Sequence, residues 1–259
     1  MKTAGAQIAY RASGTGPHLF LVGAPAGISG FSALAAALAH AFTVVIHDPR
    51  GIGDSTLEDD AAVDASAFAD DLYALIRHLS ARDVLLFGAS GGAVTGLELL
   101  SRYPDAVKLL VAHEPPLFRL LGGDVFARSE TAFHTGATDP AAGVRAFMQV
   151  TEIMTGAASG PPLPPPTAAE SEKQKFFITR MAPATVRYVT DIDRLRGCAI
   201  ACAAGEQSRG QPAHRAAYAL ADALGAPFLL APGDHTAPST QAASFAPWLK
   251  QTIERAVAG

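Results

Sequence analysis

Six short apolar runs, separated by longer stretches with helical periodicity, constrain the fold of this chain more than any other feature of its sequence. Each run is five to seven residues long, as expected for strands that are buried on both faces of a parallel sheet. The runs are HLFLV (18–22), TVVIH (43–47), DVLLFG (83–88), KLLVAH (108–113), CAIACAA (198–204) and PFLLA (227–231). The helical patterns cover residues 31–40, 67–80, 92–102, 213–224 and 242–257. This alternation predicts an open α/β sheet with helices on both sides.

The alternation breaks between Pro115 and Gly197. This segment carries helical patterns such as AAGVRAFMQVTEIM, and it contains the stiff proline-rich run GPPLPPPT (160–167), but no strand of the sheet is evident in it. We therefore predict an α/β core formed by residues 1–114 and 197–259, with residues 115–196 inserted as a helical cap. The proline run is expected to be an extended linker or the edge of a lid. Near the N-terminus, GAQIAYRAS predicts an additional edge strand.

Composition and charge exclude several classes of partner. Apolar residues make up 49% of the chain and charged residues 17%, with a formal net charge of -4. These values describe a soluble globular protein without a basic surface for nucleic acid or an anionic membrane. The N-terminus has no apolar signal-like run, and the other apolar runs are far shorter than the roughly 18 residues of a spanning helix. We expect a cytoplasmic protein with a small-molecule substrate, and the sequence does not predict its oligomeric state.

A serine flanked by glycines follows the third run. GASGGA fits the pattern G-x-S-x-G, with Gly88 and Gly92 on either side of Ser90, between a predicted strand and a predicted helix. A nucleophile held at a sharp strand-to-helix turn needs unfavourable backbone dihedrals, and small residues two positions away let the strand and the helix approach each other. The sequence therefore predicts Ser90 as a nucleophile.

Three further segments resemble the α/β-hydrolase superfamily, and the resemblance covers nearly all of the chain outside the predicted cap. HDPRGIGDS (47–55) is similar to the D-x-R-G-x-G-x-S turn of that family, and RYPDAVKLLVAHEPP (102–116) to its passage from the nucleophile helix into the sixth strand. PGDHTAP (232–238) is similar to the loop that carries the catalytic histidine. HEPPL and GEQSRGQPAHRAA resemble a bacterial subgroup. The resemblance implies the α/β-hydrolase fold, with a mostly parallel sheet of about eight strands.

His235 is the best candidate for the base among the eight histidines. It follows a short apolar run that would end at the same sheet edge as Ser90. The orienting acid is left open. The family most often places it at the fourth position of a G-x-x-D segment after the seventh strand, where this chain has Ser208. Glu114, at the end of the sixth strand, is one alternative, Glu206 is another, and a role for neither is the third.

The oxyanion site requires two backbone N–H groups that point at one position. Gly91, directly after the predicted nucleophile, is expected to supply one of them. The other is expected from Ala24, because VGAPAG (22–27) resembles the family's H-G-x-P loop, although Val22 replaces its histidine. Asp48 and Arg50 are expected to brace this region rather than to act on the substrate.

The predicted reaction is acyl transfer from an ester, thioester or lactone to water, and no metal or cofactor is expected because no motif for either is found. The cap is rich in large apolar residues, which suit an apolar or aromatic substrate. The residues expected to bind it are Pro25, Leu117, Phe118, Phe147 and Met181. Alternatives that remain are C–C bond hydrolysis, cofactor-free peroxidation, cyclisation, and non-catalytic binding of a small molecule.

Overall fold

The computed structural model describes residues 1–153 and 167–258. Most of the predicted proline run, and Met154 of the predicted helical segment, lie outside these residues. The strands are β1 (Lys2–Thr3), β2 (Ala6–Gln7), β3 (Tyr10–Ser13), β4 (His18–Ala24), β5 (Thr43–His47), β6 (Thr56–Leu57), β7 (Leu85–Ser90), β8 (Leu109–His113), β9 (Ile200–Gly205) and β10 (Phe228–Ala231). The helices are α1 (Ile28–Leu38), α2 (Ala65–His78), α3 (Gly91–Arg102), α4 (Val125–Thr138), α5 (Pro140–Thr151), α6 (Ala168–Phe176), α7 (Ala182–Val186), α8 (Ile192–Leu195), α9 (Pro212–Leu224), α10 (Ala237–Thr240) and α11 (Ala242–Ala258).

The main sheet has the strand order β10-β9-β8-β7-β4-β5-β3, and every neighbouring pair is parallel except β3 with β5. Each of the six predicted core strands is present. Within the described residues this sheet has seven strands rather than the predicted eight, because β1 and β2 pair with β6 in a separate small antiparallel sheet. The predicted edge strand is therefore divided: its first part is β2, and its second part is β3.

Both faces of the main sheet are covered by helices. Along β4 the side chains alternate: Leu19 and Leu21 belong to the apolar cluster shared with α1 and α11, whereas Phe20 and Val22 belong to the cluster shared with α2, α3 and α9. This two-residue period, with apolar residues on both faces, is typical of a parallel sheet buried between two helical layers. It explains why the predicted strands read as continuous apolar runs.

Between β8 and β9, the regular secondary structure of the described residues is entirely helical, and short loops join the helices within each described range. α6 continues through a π-helical turn, Phe177–Met181, into α7. Phe133 of α4, Phe147 of α5 and Ile178 of the π-helical turn belong to the apolar cluster on the α3 side of the sheet. The elements that carry them therefore pack directly onto the core. We call α4 to α7 the cap helices, and the boundaries 115–196 stay a prediction. In the described part of the chain, none of the helices is long and apolar enough to cross a membrane.

A buried ion pair ties the segment after β5 to α2. Arg50 Nε and Nη2 donate to the two carboxylate oxygens of Asp71, both at 2.7 Å, and each side chain is only 3% exposed. Arg50 Nη1 also donates to the carbonyl of Ala62 at 2.8 Å. This geometry is consistent with the predicted bracing role of Arg50, because a planar guanidinium can donate two parallel hydrogen bonds to one carboxylate.

The ion pair gives a stability prediction. Asp71→Asn leaves the Arg50 guanidinium buried without its counter-charge, so we expect the free energy of unfolding to fall by about 3–5 kcal/mol in chemical denaturation. Asp70→Asn, one residue earlier, is the matched control, because its ion pair with Arg102 is partly exposed and should contribute about 1 kcal/mol or less. Equal losses of unfolding free energy in Asp71→Asn and Asp70→Asn would contradict the stabilising role of the buried pair between Arg50 and Asp71.

Candidate active site

Ser90 is the last residue of β7 and directly precedes α3. Its backbone has φ 54° and ψ -123°, in a region that residues with a side chain rarely adopt. Such strain persists only where the surrounding structure enforces it, and it concentrates at functional sites. The turn therefore has the geometry of a nucleophile elbow, which is the context predicted for Ser90.

The two flanking glycines permit a close approach between backbones. A Cβ atom on Gly88 would lie 2.7 Å from the Cα of Ala93, and one on Gly92 would lie 2.6 Å from the Cα of Gly23. Backbone atoms cannot move away as the end of a side chain can. Glycine is therefore required at both positions for α3 to begin against β7 and β4.

Glu114 and His235 form a direct pair beside this elbow. His235 Nδ1 lies 2.6 Å from Glu114 Oε2, and Glu114 is fully buried. An ionised carboxylate can only accept hydrogen bonds, so Nδ1 must be the donor, and Nε2 of a neutral imidazole is then free to accept a proton. Glu114, like Ser90, has a positive φ, of 48°. The structure thus brings one of the two proposed acids to the proposed base.

Glu206, the alternative acid, lies elsewhere. Its side chain is exposed in the short 3₁₀ turn Glu206–Ser208 that follows β9. From the same turn, the buried Ser208 donates a hydrogen bond to Glu114 Oε1, and the Gly205 backbone N–H donates to the same oxygen at 2.8 Å. The residue that replaces the family's aspartate is therefore a hydrogen-bond partner of Glu114.

The surroundings keep Glu114 ionised. Burial alone would raise the pKa of its carboxyl group, but the hydrogen bond from His235, the nearby His113 and the hydrogen bond from Ser208 together lower that pKa to about 2. His113 is itself fully buried, and desolvation lowers the pKa of its imidazole to about 4. It lies among the rings of Phe87, His235 and Phe245. Sequence analysis did not single out this histidine, because its position within an apolar strand carries no motif.

Ala24 and Gly91, the predicted oxyanion residues, are neighbours. Ala24 pairs with Ser90 in the parallel ladder between β4 and β7, and a Cβ atom on Gly91 would lie 2.7 Å from the carbonyl oxygen of Ala24. The loop after Ala24 is braced by Asp48, whose Oδ1 accepts from the Ile28 N–H at 2.7 Å. Asp48 Oδ2 also accepts from the Asp54 N–H at 3.0 Å. Asp48 thus links the first residue of α1 to the turn after β5.

A cavity of about 450 Å³ opens over the elbow and is contacted by both Ser90 and His235. These two side chains form no hydrogen bond with each other in this structure; such contacts are often long before a substrate binds. The described lining residues include no Lys, Arg, Asp or Glu, and they combine large apolar side chains with several hydroxyl groups. The lining includes Pro25, Phe118, Phe147, Met148, Ile153 and Phe177, together with Thr151, Thr185, Thr236, Ser239 and Thr240.

Two of the five predicted substrate contacts do not line this cavity. Leu117 packs into the apolar cluster on the α3 side of the sheet, and Met181 is fully buried against Ala24 and Phe68. Both therefore help to pack the protein around the cavity, which corrects the prediction. Pro25, Phe118 and Phe147 do line it. The hydroxyl-bearing residues were missed because isolated threonines and serines carry no pattern in the sequence.

In the ranges 1–153 and 167–258, no group of three or more His, Cys, Asp or Glu side chains is arranged to hold a metal ion. Cys198 and Cys202 are free thiols. Cys202 is buried within β9, whereas Cys198 precedes the strand and is only half-buried.

Comparison with known proteins agrees with this architecture. A family model for the alpha/beta hydrolase fold matches residues 17–145. The uncharacterized hydrolase YraK of Bacillus subtilis (strain 168) is 28% identical over 263 aligned positions, covering 98% of this chain and 95% of the relative.

Two solved structures share the fold over almost their whole length. An esterase from Thermogutta terrifontis is 18% identical, with a TM-score of 0.71 over 97% of this chain and 94% of that one. An alpha/beta hydrolase from Sphaerobacter thermophilus is 23% identical, with a TM-score of 0.67 over 97% of this chain and 98% of that one. The strand order, the family match and these likenesses lead to one conclusion: the chain has the α/β-hydrolase fold and belongs to the α/β-hydrolase superfamily.

Proposed function

We propose that this protein is a serine hydrolase that cleaves an ester, thioester or lactone of a small apolar or aromatic substrate through an acyl-enzyme on Ser90. The observation that carries the proposal is the 2.6 Å contact between His235 Nδ1 and Oε2 of the buried Glu114, because His235 lines the same cavity as Ser90. This contact gives the imidazole a defined tautomer and leaves Nε2 as the basic nitrogen.

The proposed reaction has two halves. Ser90 Oγ attacks the carbonyl carbon, and His235 Nε2 takes the hydroxyl proton and returns it to the leaving alcohol, thiol or ring oxygen as the acyl bond breaks. Water then attacks the acyl-enzyme, His235 takes a proton from that water, and collapse of the intermediate returns the proton to Ser90 Oγ as the acid leaves. Glu114 stabilises the imidazolium that forms in each half, and the Ala24 and Gly91 N–H groups hold the oxyanion.

The lining of the cavity supports a neutral substrate. Phe118, Phe147 and Phe177 face it from the cap side, and its described residues include no Lys, Arg, Asp or Glu. A carboxylate on the substrate would lose its hydration there without gaining a counter-charge, which is costly. Small apolar or aromatic acyl groups that carry no charge therefore fit best.

Matched p-nitrophenyl esters test the proposed function. We expect hydrolysis of p-nitrophenyl pentanoate with a kcat/KM at least about tenfold above that of the anionic mono-p-nitrophenyl succinate, a difference of roughly 1.4 kcal/mol. If the purified protein hydrolyses neither compound but binds the neutral ester saturably, it is instead a non-catalytic binder. Equal turnover of the two compounds would contradict the proposed neutral substrate.

A further inference from the structure

Ser208 contacts the proposed triad through Glu114 and not through the cavity. It is fully buried, and its hydroxyl group lies within hydrogen-bonding distance of Glu114 Oε1 and 3.0 Å from the carbonyl oxygen of Gly205. A serine hydroxyl has one proton. The carboxylate oxygen carries charge and the carbonyl oxygen does not, so the proton belongs on the Glu114 side.

The two carboxylate oxygens of Glu114 therefore accept hydrogen bonds from different donors. Oε2 accepts from His235 Nδ1 at 2.6 Å, while Oε1 accepts from Ser208 and from the Gly205 N–H. A carboxylate that is held at only one oxygen can rotate about its last torsion angle. Donors on both oxygens fix its plane, and with it the direction in which the imidazole ring points.

The turn that carries Ser208 is itself anchored to the loop of His235. The Gln207 N–H donates to the carbonyl of Gly233 at 2.9 Å. A Cβ atom on Gly205 would lie 2.9 Å from the Cα of Asp234, so the end of β9 and the histidine loop are in direct contact. Ser208 thus reaches Glu114 from a turn that is hydrogen-bonded to the loop of the base.

We propose that Ser208 is a positioning residue of this site, whose hydroxyl group fixes the Glu114 carboxylate in the orientation that meets His235. A neutral donor suits this place, because a second carboxylate there would be repelled by the buried charge of Glu114. The kinetic part of the inference rests on the proposed function, and the contact itself does not.

A double-mutant cycle tests the inference, with Ser208→Ala, Glu114→Gln and the double variant compared with the wild-type protein. Ser208→Ala adds no atoms, so it introduces no clash. For p-nitrophenyl pentanoate we expect Ser208→Ala to lower kcat about 10- to 100-fold with KM within about twofold, the effect of losing one hydrogen bond to a charged group. In the Glu114→Gln background the same change should alter kcat by less than about twofold. Full kcat in Ser208→Ala, or the same loss in both backgrounds, would overturn the positioning role.

Thermal unfolding of the same four proteins between pH 7 and pH 3 gives a readout that does not depend on turnover. The pKa of Glu114 is about 2 instead of its ordinary 4.5, so its ionisation stabilises the folded protein above pH 4.5 and this contribution is lost as the pH falls towards 2. Losing the Ser208 donor raises that pKa. Ser208→Ala should therefore have a lower Tm than wild type at pH 7, and the difference should shrink with decreasing pH.

The Glu114→Gln background is the control for this pH dependence. His113, His214 and His235 are the titratable groups that sense Glu114, and they are present in all four proteins. With glutamine at position 114, the effect of Ser208→Ala on Tm should not vary with pH. Absence of ester turnover in the wild type would contradict the proposed function alone, whereas a pH-independent effect of Ser208→Ala in the wild-type background would overturn this inference alone.

Discussion

Replacing Ser90 by alanine is expected to lower kcat/KM for a neutral aryl ester by about 10⁴- to 10⁶-fold, because the variant has no hydroxyl oxygen to form the acyl bond. The cavity, His235 and the backbone donors remain. The residual rate should therefore reflect only binding and the oxyanion site, as in other proteins whose nucleophile has been removed. The measurement is steady-state kinetics on p-nitrophenyl pentanoate.

Binding and folding provide the controls for Ser90→Ala. Alanine adds no atoms and faces the same positive φ, so the melting temperature should stay within a few degrees of the wild-type value. The neutral compound p-nitrophenyl pentyl ether, which lacks the reactive carbonyl group, should bind the variant with a Kd within about threefold of the wild-type value, since most of the described cavity lining is untouched. Retention of more than about one tenth of the wild-type kcat by this variant would show that Ser90 is not the nucleophile.

Glu114→Gln is expected to have the second-largest effect, a fall in kcat of about 10³- to 10⁴-fold with a much smaller change in KM. The glutamine amide is nearly the same size as the carboxylate but carries no charge. It cannot stabilise the imidazolium of His235, and its NH₂ group can face Nδ1 and favour the wrong tautomer. The two buried donors to the other oxygen, the Ser208 hydroxyl and the Gly205 N–H, would hold the amide oxygen and so favour this orientation.

Glu206→Gln is the matched control, with the same chemical change at the other candidate acid. Because the Glu206 side chain is exposed, we expect its kcat and its Tm to change by no more than a surface substitution usually causes. A large kcat loss in Glu206→Gln with normal turnover in Glu114→Gln would reverse the assignment. Near-full turnover in both variants would exclude a carboxylate at either position from the proposed triad.

The sheet could be predicted from the sequence because each buried strand is a continuous apolar run. β5 begins and ends at the residues predicted for it, and the other core strands differ from prediction by a few residues at most. The small sheet was not predicted, because strands of two residues carry too little pattern to be recognised.

The site was only partly predictable, for a physical reason. Ser90 and His235 lie in local motifs that can be recognised in the sequence. The acid that pairs with His235 depends instead on whether the end of β8 or the end of β9 places a carboxylate beside it. Glu114 and Ser208 are far apart in sequence, and only the packing of β8 beside β9 brings them together. The cavity lining poses the same difficulty, since the side chains of Leu117 and Phe118 are adjacent in sequence but only that of Phe118 faces the cavity.

Treatment with a serine-directed fluorophosphonate tests directly whether Ser90 is an activated nucleophile. The adduct is then mapped by peptide mass spectrometry. This role of Ser90 predicts stoichiometric modification of the wild-type protein at Ser90, slower modification of Glu114→Gln, and no modification of Ser90→Ala. An adduct on another residue, or no adduct on a folded wild-type protein, would contradict it.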